Sequence, residues 1–381
     1  MESIAIVTRS FWPESAAIGE ALLLLAESLS RKSRVRVIAQ AGKGFQRQLR
    51  AQQRGKNVNF SMLPAFTTSS SHLALRVLEL IVFGFHVFIL LCWYRPKKVY
   101  VTTNPPIAVP FLVRLYCEMF GKRYVYHLQD LHPEATQVVT RKNNAFLTVL
   151  RRIDSKTITR ASKIITLTDQ MRNYVHERVG TAHRMEIVLL ENPAIGEKAL
   201  ADTVRNKGMV FCGNAGRLQL IPLLLGAIES YIEKGGLLPF AFAGGGVYAP
   251  KIKELANRHP QVNYLGVLPG YKAAELMQQY TLGLMPIEDE VLHYAFPSKS
   301  SSYVTAGCQV VAICGANTSV AQWVESNRFG YVVAPNIEAI VRLFVQLETQ
   351  EATQPQAPQE FLRRLTPEYH AIELERMILE A

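Results

Sequence analysis

Residues 97–130, KKVYVTTNPPIAVPFLVRLYCEMFGKRYVYHLQD, decide the fold. KKVYVTT is rich in β-branched and aromatic residues and stops at Pro105 and Pro106. VPFLVRLYCEMF has the length and apolar period of a helix and ends at Gly121, and KRYVYHLQD is β-forming again. Strand, helix and strand at this spacing imply a parallel sheet covered on both faces.

The pattern extends in both directions. Upstream, SIAIVTRS is a strand, EALLLLAESLSRKS a helix and RVRVIAQ a second strand. Downstream come a helix from about Asn144 to Arg160, the strand KIITLT, the helix DQMRNYVHERVG and the strand EIVLLENP. A second series opens at Met209 and runs through LPFAFAGGG, VNYLGVLP, LGLMPI and CQVVAIC, each followed or preceded by a helical stretch. Polar linkers are expected at 196–208 and 348–358. The reading is α/β, with two Rossmann-like, doubly wound parallel-sheet domains at 1–195 and 196–358 and a last helix over 359–381. At ~150 residues per domain, 381 residues fit this division.

Composition narrows the class. The 23 Gly and 19 Pro are ordinary proportions and exclude collagen-like and low-complexity chains. The 5 cysteines (Cys92, Cys117, Cys212, Cys308, Cys314) are scattered, without C-x-x-C spacing, which fits a reducing compartment. The net charge of +11 is unevenly held. Residues 1–195 carry 27 Lys and Arg against 13 Asp and Glu, a net of +14; residues 196–381 carry 15 against 18, a net of −3. One domain therefore faces a polyanion, a nucleic acid or an anionic membrane. No nucleic-acid-binding motif or basic aromatic stripe is present, and none is expected to bind. Met1–Gln40 carries no leader pattern.

The apolar anomaly is Leu73–Tyr94, LALRVLELIVFGFHVFILLCWY, followed by Arg95, Lys97 and Lys98. Its uninterrupted part, Leu80–Tyr94, is shorter than the ~20 residues a bilayer span needs. A span here would also place strands of one sheet on opposite sides of a membrane. The stretch is expected as a helix half buried in its domain and half dipped into a membrane interface. A fully buried core helix is the alternative.

Parallel sheets bind ligands at the carboxyl ends of their strands. The stretches there are Trp12–Gly19, Asn104–Pro106, His127–Glu134, Cys212–Leu220, Gly244–Gly246, Leu265–Pro269 and Pro286–Lys299. Among them PESAAIG, TNPP, YHLQDLHPE, GNAGR, FAGGG, YLGVLP and FPSK follow one another in an order that resembles bacterial family 4 glycosyltransferases. The likeness runs from Ile4 to about Val333 and is strongest to the subgroup that builds exopolysaccharide, colanic acid and O-antigen repeat units. It implies a GT-B fold with an interdomain cleft, a UDP- or GDP-sugar donor held by the C-terminal domain, and transfer with retention onto a lipid-linked or oligosaccharide acceptor. It also implies a polyprenyl-diphosphate-linked saccharide as acceptor, a peripheral position on the inner face of the cell membrane through Leu73–Lys98 and the basic domain, and no metal or other cofactor.

The resemblance assigns roles residue by residue. Gly213, Asn214, Gly216 and Arg217 would present backbone N–H groups and a charge to the diphosphate. The family usually carries a Lys just beyond this loop; here stand Leu218, Gln219, Leu220 and Ile221, so Arg217 and Lys299 must supply the charge. Ser298 and Lys299 belong to the subgroup's PSK element. Two family glutamates are replaced by Tyr294 and Ser302, leaving Ser302 as a hydrogen-bonding substitute at the ribose and Glu288, Asp289 and Glu290 as acids that reach in or lie solvated. Gly244 and Gly246 would line the nucleotide, and Val267 and Leu268 would read the base through the backbone. In the N-terminal domain Asp130 is the first candidate for polarising the acceptor or steadying oxocarbenium-like charge, Glu134 the second and His132 the third. His127 is read as a core histidine. Glu14 and Gly19 form the acceptor-side loop, with Ala17 where a glycine is common. A nucleotide-sugar epimerase of the same fold, and a GT-B scaffold with impaired catalysis, are the competing readings.

Overall fold

The computed structural model describes residues 2–42, 44–67, 72–140, 145–180, 186–196, 205–350 and 357–381. Most of the two expected linkers, 197–204 and 351–356, lies outside the described residues. The chain forms two units, Met1–Glu191 with Pro367–Ala381, and Asn192–Thr366.

The first unit holds a seven-stranded sheet in the order β3-β2-β1-β4-β5-β6-β7. Its strands are β1 (Ser3–Val7), β2 (Arg34–Ala41), β3 (Asn59–Pro64), β4 (Lys98–Thr102), β5 (Arg123–His127), β6 (Lys163–Thr166) and β7 (Ile187–Leu189). Every pairing is parallel. Val99, Tyr100 and Val101 are all buried, as expected for a central parallel strand covered on both faces. The second unit has six parallel strands in the order β10-β9-β8-β11-β12-β13. These are β8 (Asn206–Cys212), β9 (Phe240–Ala243), β10 (Val262–Tyr264), β11 (Tyr280–Pro286), β12 (Gln309–Ile313) and β13 (Gly330–Val333).

Beside β13 and the helices Glu134–Thr140, Ser319–Ser326 and Ile337–Thr349, the elements not read from the sequence include the edge strand β3 and the helix Phe45–Ala51 before it. Both are short, and β3 is only partly buried along its length, so neither shows a strong period. The segment expected as one helix over 359–381 is two, Gln359–Arg364 and Pro367–Glu380, divided where Pro367 lacks an N–H to continue the ladder. The first packs its Phe361 on Trp323 and Phe329 in the second unit. The second returns to the first unit, where Ala371, Leu374, Met377 and Ile378 join the core under the helix Ile18–Ser30.

The apolar helix Leu73–Tyr94 is not a buried core helix. Phe83, Val87 and Leu91 face inward, whereas Phe85 (64% exposed), Ile89 (58%) and Trp93 (79%) stand in solvent. Glu79 lies on the inward side, 1% exposed, and accepts from Arg9 (2.6 Å), from the N–H groups of Phe66 and Thr67, and from the Thr67 hydroxyl. His86 hydrogen-bonds the backbone of Ser61, so the helix covers part of the open edge that β3 presents.

Candidate functional site

In the second unit the strand order reverses between β8 and β11, and a crevice at such a switch point is where an α/β sheet receives ligands. The loops there are knitted through the backbone. The Gly213 N–H donates to Ala243 (2.9 Å), Ala215 to Gly245 (2.7 Å), Gly244 to Gly266 (2.7 Å) and Glu288 to Leu218 (3.1 Å). Two glycines make the approach possible. Gly244 has φ +137°, and a Cβ there would lie 1.9 Å from the Gly213 carbonyl oxygen. Gly246 has φ +125°, and its Cβ would lie 2.5 Å from the Ala215 oxygen. A side chain at either position would separate the loops or strain the backbone.

This knitting consumes some amides and leaves others. The N–H groups of Gly213 and Ala215 are used within the loops, while those of Asn214, Gly216 and Arg217 make no hydrogen bond among the described residues. Free amides on a glycine-rich turn are the donors an anion needs. Arg217 is exposed beside them.

Lys299 approaches the same turn from the β11 side. Its ammonium donates to Gln219 Oε1 (3.0 Å) and sits 4.0 Å from the Phe211 ring centre. A Cβ on Gly213 would be 3.4 Å from Lys299 Cε, so the lysine stem lies against the first glycine of the turn. Burial pushes its pKa down to about 7. A residue distant in sequence thus brings its ammonium to the turn that lacks a lysine of its own. What aims it is Tyr303, four residues on in the helix Lys299–Thr305. The Tyr303 hydroxyl bridges Leu284 and Cys212 (3.0 and 3.1 Å), and its ring fills the place where a Cβ on Gly283 would be. Gly283 and Tyr303 were not singled out in the sequence; a lone glycine inside a strand pattern is the signal that marks such close packing.

Val267 is 78% exposed and touches the glycine run, since a Cβ on Gly245 would lie 3.2 Å from its Cγ2. The backbone groups of Val267 and Leu268 make no hydrogen bond among the described residues. Ser298 is exposed at the start of the Lys299 helix. Ser302 is placed differently from the expectation. It is 2% exposed and its hydroxyl accepts from the Ile195 N–H (3.0 Å), so it holds the chain rather than facing a ribose. Asp289 is likewise committed, to the Gly315 N–H (2.7 Å). Glu290 is exposed, and Glu288, tied by its backbone to Leu218, is the acid nearest the turn in hydrogen-bond connectivity.

In the first unit the order reverses between β1 and β4. The ends of these strands and of β5 are filled with hydrogen-bonded side chains rather than glycines. Asn104 donates to the Ser10 hydroxyl (2.7 Å), and the Thr103 hydroxyl accepts from the amides of Gln129 (3.2 Å) and Asp130 (3.3 Å). Asp130 is exposed at the end of this pinned segment. His132 bonds Thr136 (3.0 Å), and burial lowers its pKa to about 4, so it is neutral at pH 7. His127 is fully buried and paired with the Tyr100 hydroxyl (2.6 Å).

Glu134, expected beside Asp130 as a second catalytic candidate, is 2% exposed and occupied. One oxygen accepts from Arg151 and Tyr174 (2.8 Å each), the other from Arg178 (3.2 Å), whose second nitrogen binds Asp154 (2.7 Å). Its charge is consumed in a buried ion-pair cluster that anchors the loop after β5. Glu14 accepts from the Gly42 N–H (2.7 Å), tying the loop after β1 to the end of β2. Gly19 lies inside the first helix with a helical φ; a Cβ there would meet the Trp12 nitrogen at 2.7 Å, so it serves close packing. Among the described residues no cluster of three or more His, Cys, Asp or Glu is spaced to hold a metal ion.

No protein-family model and no curated protein matches the sequence. The fold is shared with solved structures over the whole chain. HepE from Anabaena, solved in complex with UDP, is 15% identical with a TM-score of 0.68, each chain covered over 100%. Sucrose-phosphate synthase from Thermosynechococcus elongatus is 11% identical with a TM-score of 0.70, covering 100% of this chain and 99% of its own. UDP-GlcNAc 2-epimerase from Methanocaldococcus jannaschii is 11% identical with a TM-score of 0.58, again covered over 100% of both. The two parallel-sheet α/β units are those of the GT-B fold.

Proposed function

We propose that the chain is a glycosyltransferase that takes a sugar from a UDP- or GDP-sugar and adds it, with retention, to a lipid-linked saccharide in the assembly of a bacterial surface polysaccharide. The observation that carries this reading is the turn Gly213–Arg217, with three unused amides and the ammonium of Lys299 laid against it. A departing nucleoside diphosphate develops negative charge, and preorganised donors aimed at it are the strongest form of stabilisation available to a transferase. Arg217, Lys299 and the amides of Asn214, Gly216 and Arg217 take that part, and the reading assigns no step to a metal. The backbone of Val267 and Leu268 receives the base.

In the proposed step the bond from the anomeric carbon to the diphosphate oxygen breaks, and the acceptor oxygen bonds that carbon on the same face. The acceptor proton passes to the leaving diphosphate. Asp130 polarises the acceptor hydroxyl or steadies the positive charge; neutral His132 accompanies it, and Glu134 positions the loop through its ion pairs. The exposed apolar face of Leu73–Tyr94, with exposed Arg95 and Lys97 at its end, docks on an anionic membrane surface at the inner face of the cell membrane, where a lipid-linked acceptor resides; Lys98, expected to share this role, is instead held by the Leu379 carbonyl and Glu2.

The test is nucleotide binding followed by thermal shift, in the intact chain and in Gly244→Ala. UDP or GDP is expected to raise the melting temperature of the first and not of the second, and no shift with either nucleotide at millimolar concentration overturns the reading. An epimerase is the second reading, favoured by the likeness to UDP-GlcNAc 2-epimerases. Such an enzyme inverts a free nucleotide sugar in solution and has no use for an exposed apolar helix. Conversion of UDP-GlcNAc to its epimer without an acceptor, followed by proton NMR, would establish it.

A further inference from the structure

The transfer step uses Lys299 only as a charge, yet its surroundings are also those of a nucleophile. Its stem lies against Gly213, with Nζ 3.5 Å from where a Cβ on that glycine would be. Its head donates to Gln219 Oε1 (3.0 Å), and the Gln219 N–H in turn donates to the Gly216 carbonyl (3.2 Å). The amine is therefore tethered at two points of one short loop. The unused N–H groups of Asn214, Gly216 and Arg217 belong to the stretch between those points.

Little holds this amine in its charged form. No carboxylate lies within ion-pair distance of it among the described residues. The titratable group it feels is Cys212 on β8, whose thiol is pushed up to about 12 by burial and is neutral. Arg217 on the turn is a like charge, exposed to solvent. The Phe211 ring favours the ammonium, but burial outweighs it. With a pKa of about 7, about half of Lys299 is free amine at neutral pH, whereas an exposed lysine, at about 10.4, is almost wholly protonated. The free amine keeps its bond to Gln219 through one N–H and has a lone pair to spend.

A free amine beside a phosphate cradle is matched by one kind of reagent. Amine and cradle share a short loop, so the electrophilic atom has to sit next to the phosphate. In an acyl phosphate the carbonyl carbon is one oxygen away from phosphorus, whereas an aldehyde further along a phosphorylated chain would overshoot the amine. The cradle then does for the departing phosphate what it does for a diphosphate, and holding both partners on one loop removes the cost of their encounter.

We infer that Lys299 is a self-acylation site, at which an acyl phosphate seated with its phosphate on the turn Gly213–Arg217 transfers its acyl group to Nζ. The Nζ lone pair forms the amide bond to the acyl carbon. The bond from that carbon to the phosphate oxygen breaks, and inorganic phosphate departs with the electron pair and the amine proton. The acylated lysine carries no charge, so the turn loses the cation that would meet a nucleotide. A bound nucleotide blocks the step, because it fills the cradle and keeps the lysine protonated. The inference rests on the transferase reading only in taking the turn as a phosphate cradle; acylation needs neither sugar nor acceptor.

The test is incubation of the full chain with acetyl phosphate at neutral pH, with the rate at each lysine read by peptide mass spectrometry. Lys299 is expected to react about tenfold or more faster than the exposed Lys97 and Lys272. Arg217→Ser, and separately an excess of inorganic phosphate, are each expected to slow Lys299 about tenfold and to leave Lys97 unchanged. Acetic anhydride, which carries no phosphate, is expected to label Lys299 at the same rate in the parent and in Arg217→Ser. A rate at Lys299 no greater than at Lys97 overturns the proposal. So does a rate that neither phosphate nor Arg217→Ser reduces, or an equal slowing of the anhydride in that variant. The thermal shift with UDP, read on the unmodified chain, separates the two readings. A shift without acylation of Lys299 overturns this inference and leaves the transferase reading standing. Phosphate-protected acylation without a shift supports this inference and overturns the nucleotide.

Discussion

The two units build the ends of their strands in opposite ways. In the second, side chains are removed: Gly213, Gly244 and Gly246 let three loops close on one another until backbone amides, the half-buried Lys299 and the exposed Arg217 are what remains to meet a ligand. In the first, side chains are added: Thr103, Asn104, Glu14 and Glu134 each spend their polar atoms on neighbouring loops. A glycine-built end suits a ligand that brings its own charge and needs close approach. A side-chain-built end suits a rigid platform with one or two groups left exposed, here Asp130. The same parallel architecture supports both because its strands end in loops that the sheet itself does not constrain.

This contrast can be broken by experiment. The largest effect is expected from Arg178→Ala. Removing the guanidinium leaves Glu134 and Asp154 buried without their shared counter-charge, and the loss expected for breaking such a pair is about 3–5 kcal/mol. Chemical denaturation would measure it, and a variant as stable as the parent would mean that the first unit is not held by its charged cluster.

Next comes Lys299→Met, for which affinity for UDP or GDP should fall by roughly 10- to 100-fold, the range for one charge-assisted hydrogen bond. The intact chain should also show a pH signature. With its pKa lowered to about 7, the lysine is partly neutral in the free protein above that pH, and a bound diphosphate restores the proton. Nucleotide binding should therefore take up a proton near pH 8, and affinity should weaken roughly tenfold between pH 7 and 8.5, following proton linkage at a single site. Calorimetry in buffers of different ionisation enthalpy reads the uptake. Lys299→Met should abolish both effects, and persistence of the uptake in that variant would move the titrating group elsewhere. The smallest effect is expected from Glu14→Gln, which keeps an acceptor for the Gly42 N–H and should cost about 1 kcal/mol or less.

The alternation of strands and helices was legible because most elements carry a clear apolar period, and the strand-end rule then placed the glycine turns and Lys299 where they are found. What the sequence hid was the partnership between distant residues. Nothing in DLHPE tells that Glu134 will be claimed by Arg151, Tyr174 and Arg178. Ser302 reads as an accessible hydroxyl in KSSSYV, yet its helix packs through Tyr303 onto Gly283 and buries it. The edge strand β3 escaped because short, half-exposed segments have little pattern to read. The apolar helix was the opposite case: a strong pattern marked a helix that is long and apolar enough to cross a membrane by length and composition, while β3 and β4 on either side of it in the chain lie in one parallel sheet.

The return of Pro367–Glu380 to the first unit also sets an order for synthesis. Its Ala371, Leu374, Met377 and Ile378 complete a core begun by Ile4 and Leu22, yet the whole of the second unit is encoded between Glu191 and Pro367. A ribosome delivers the second unit before the first has its last layer. The second unit can fold from contiguous chain, while the first waits with an apolar surface uncovered, the situation in which nascent chains are held by chaperones. Contacts so far apart in sequence are also costly to close, so docking of this last helix is expected to be the late step in the folding of the first unit.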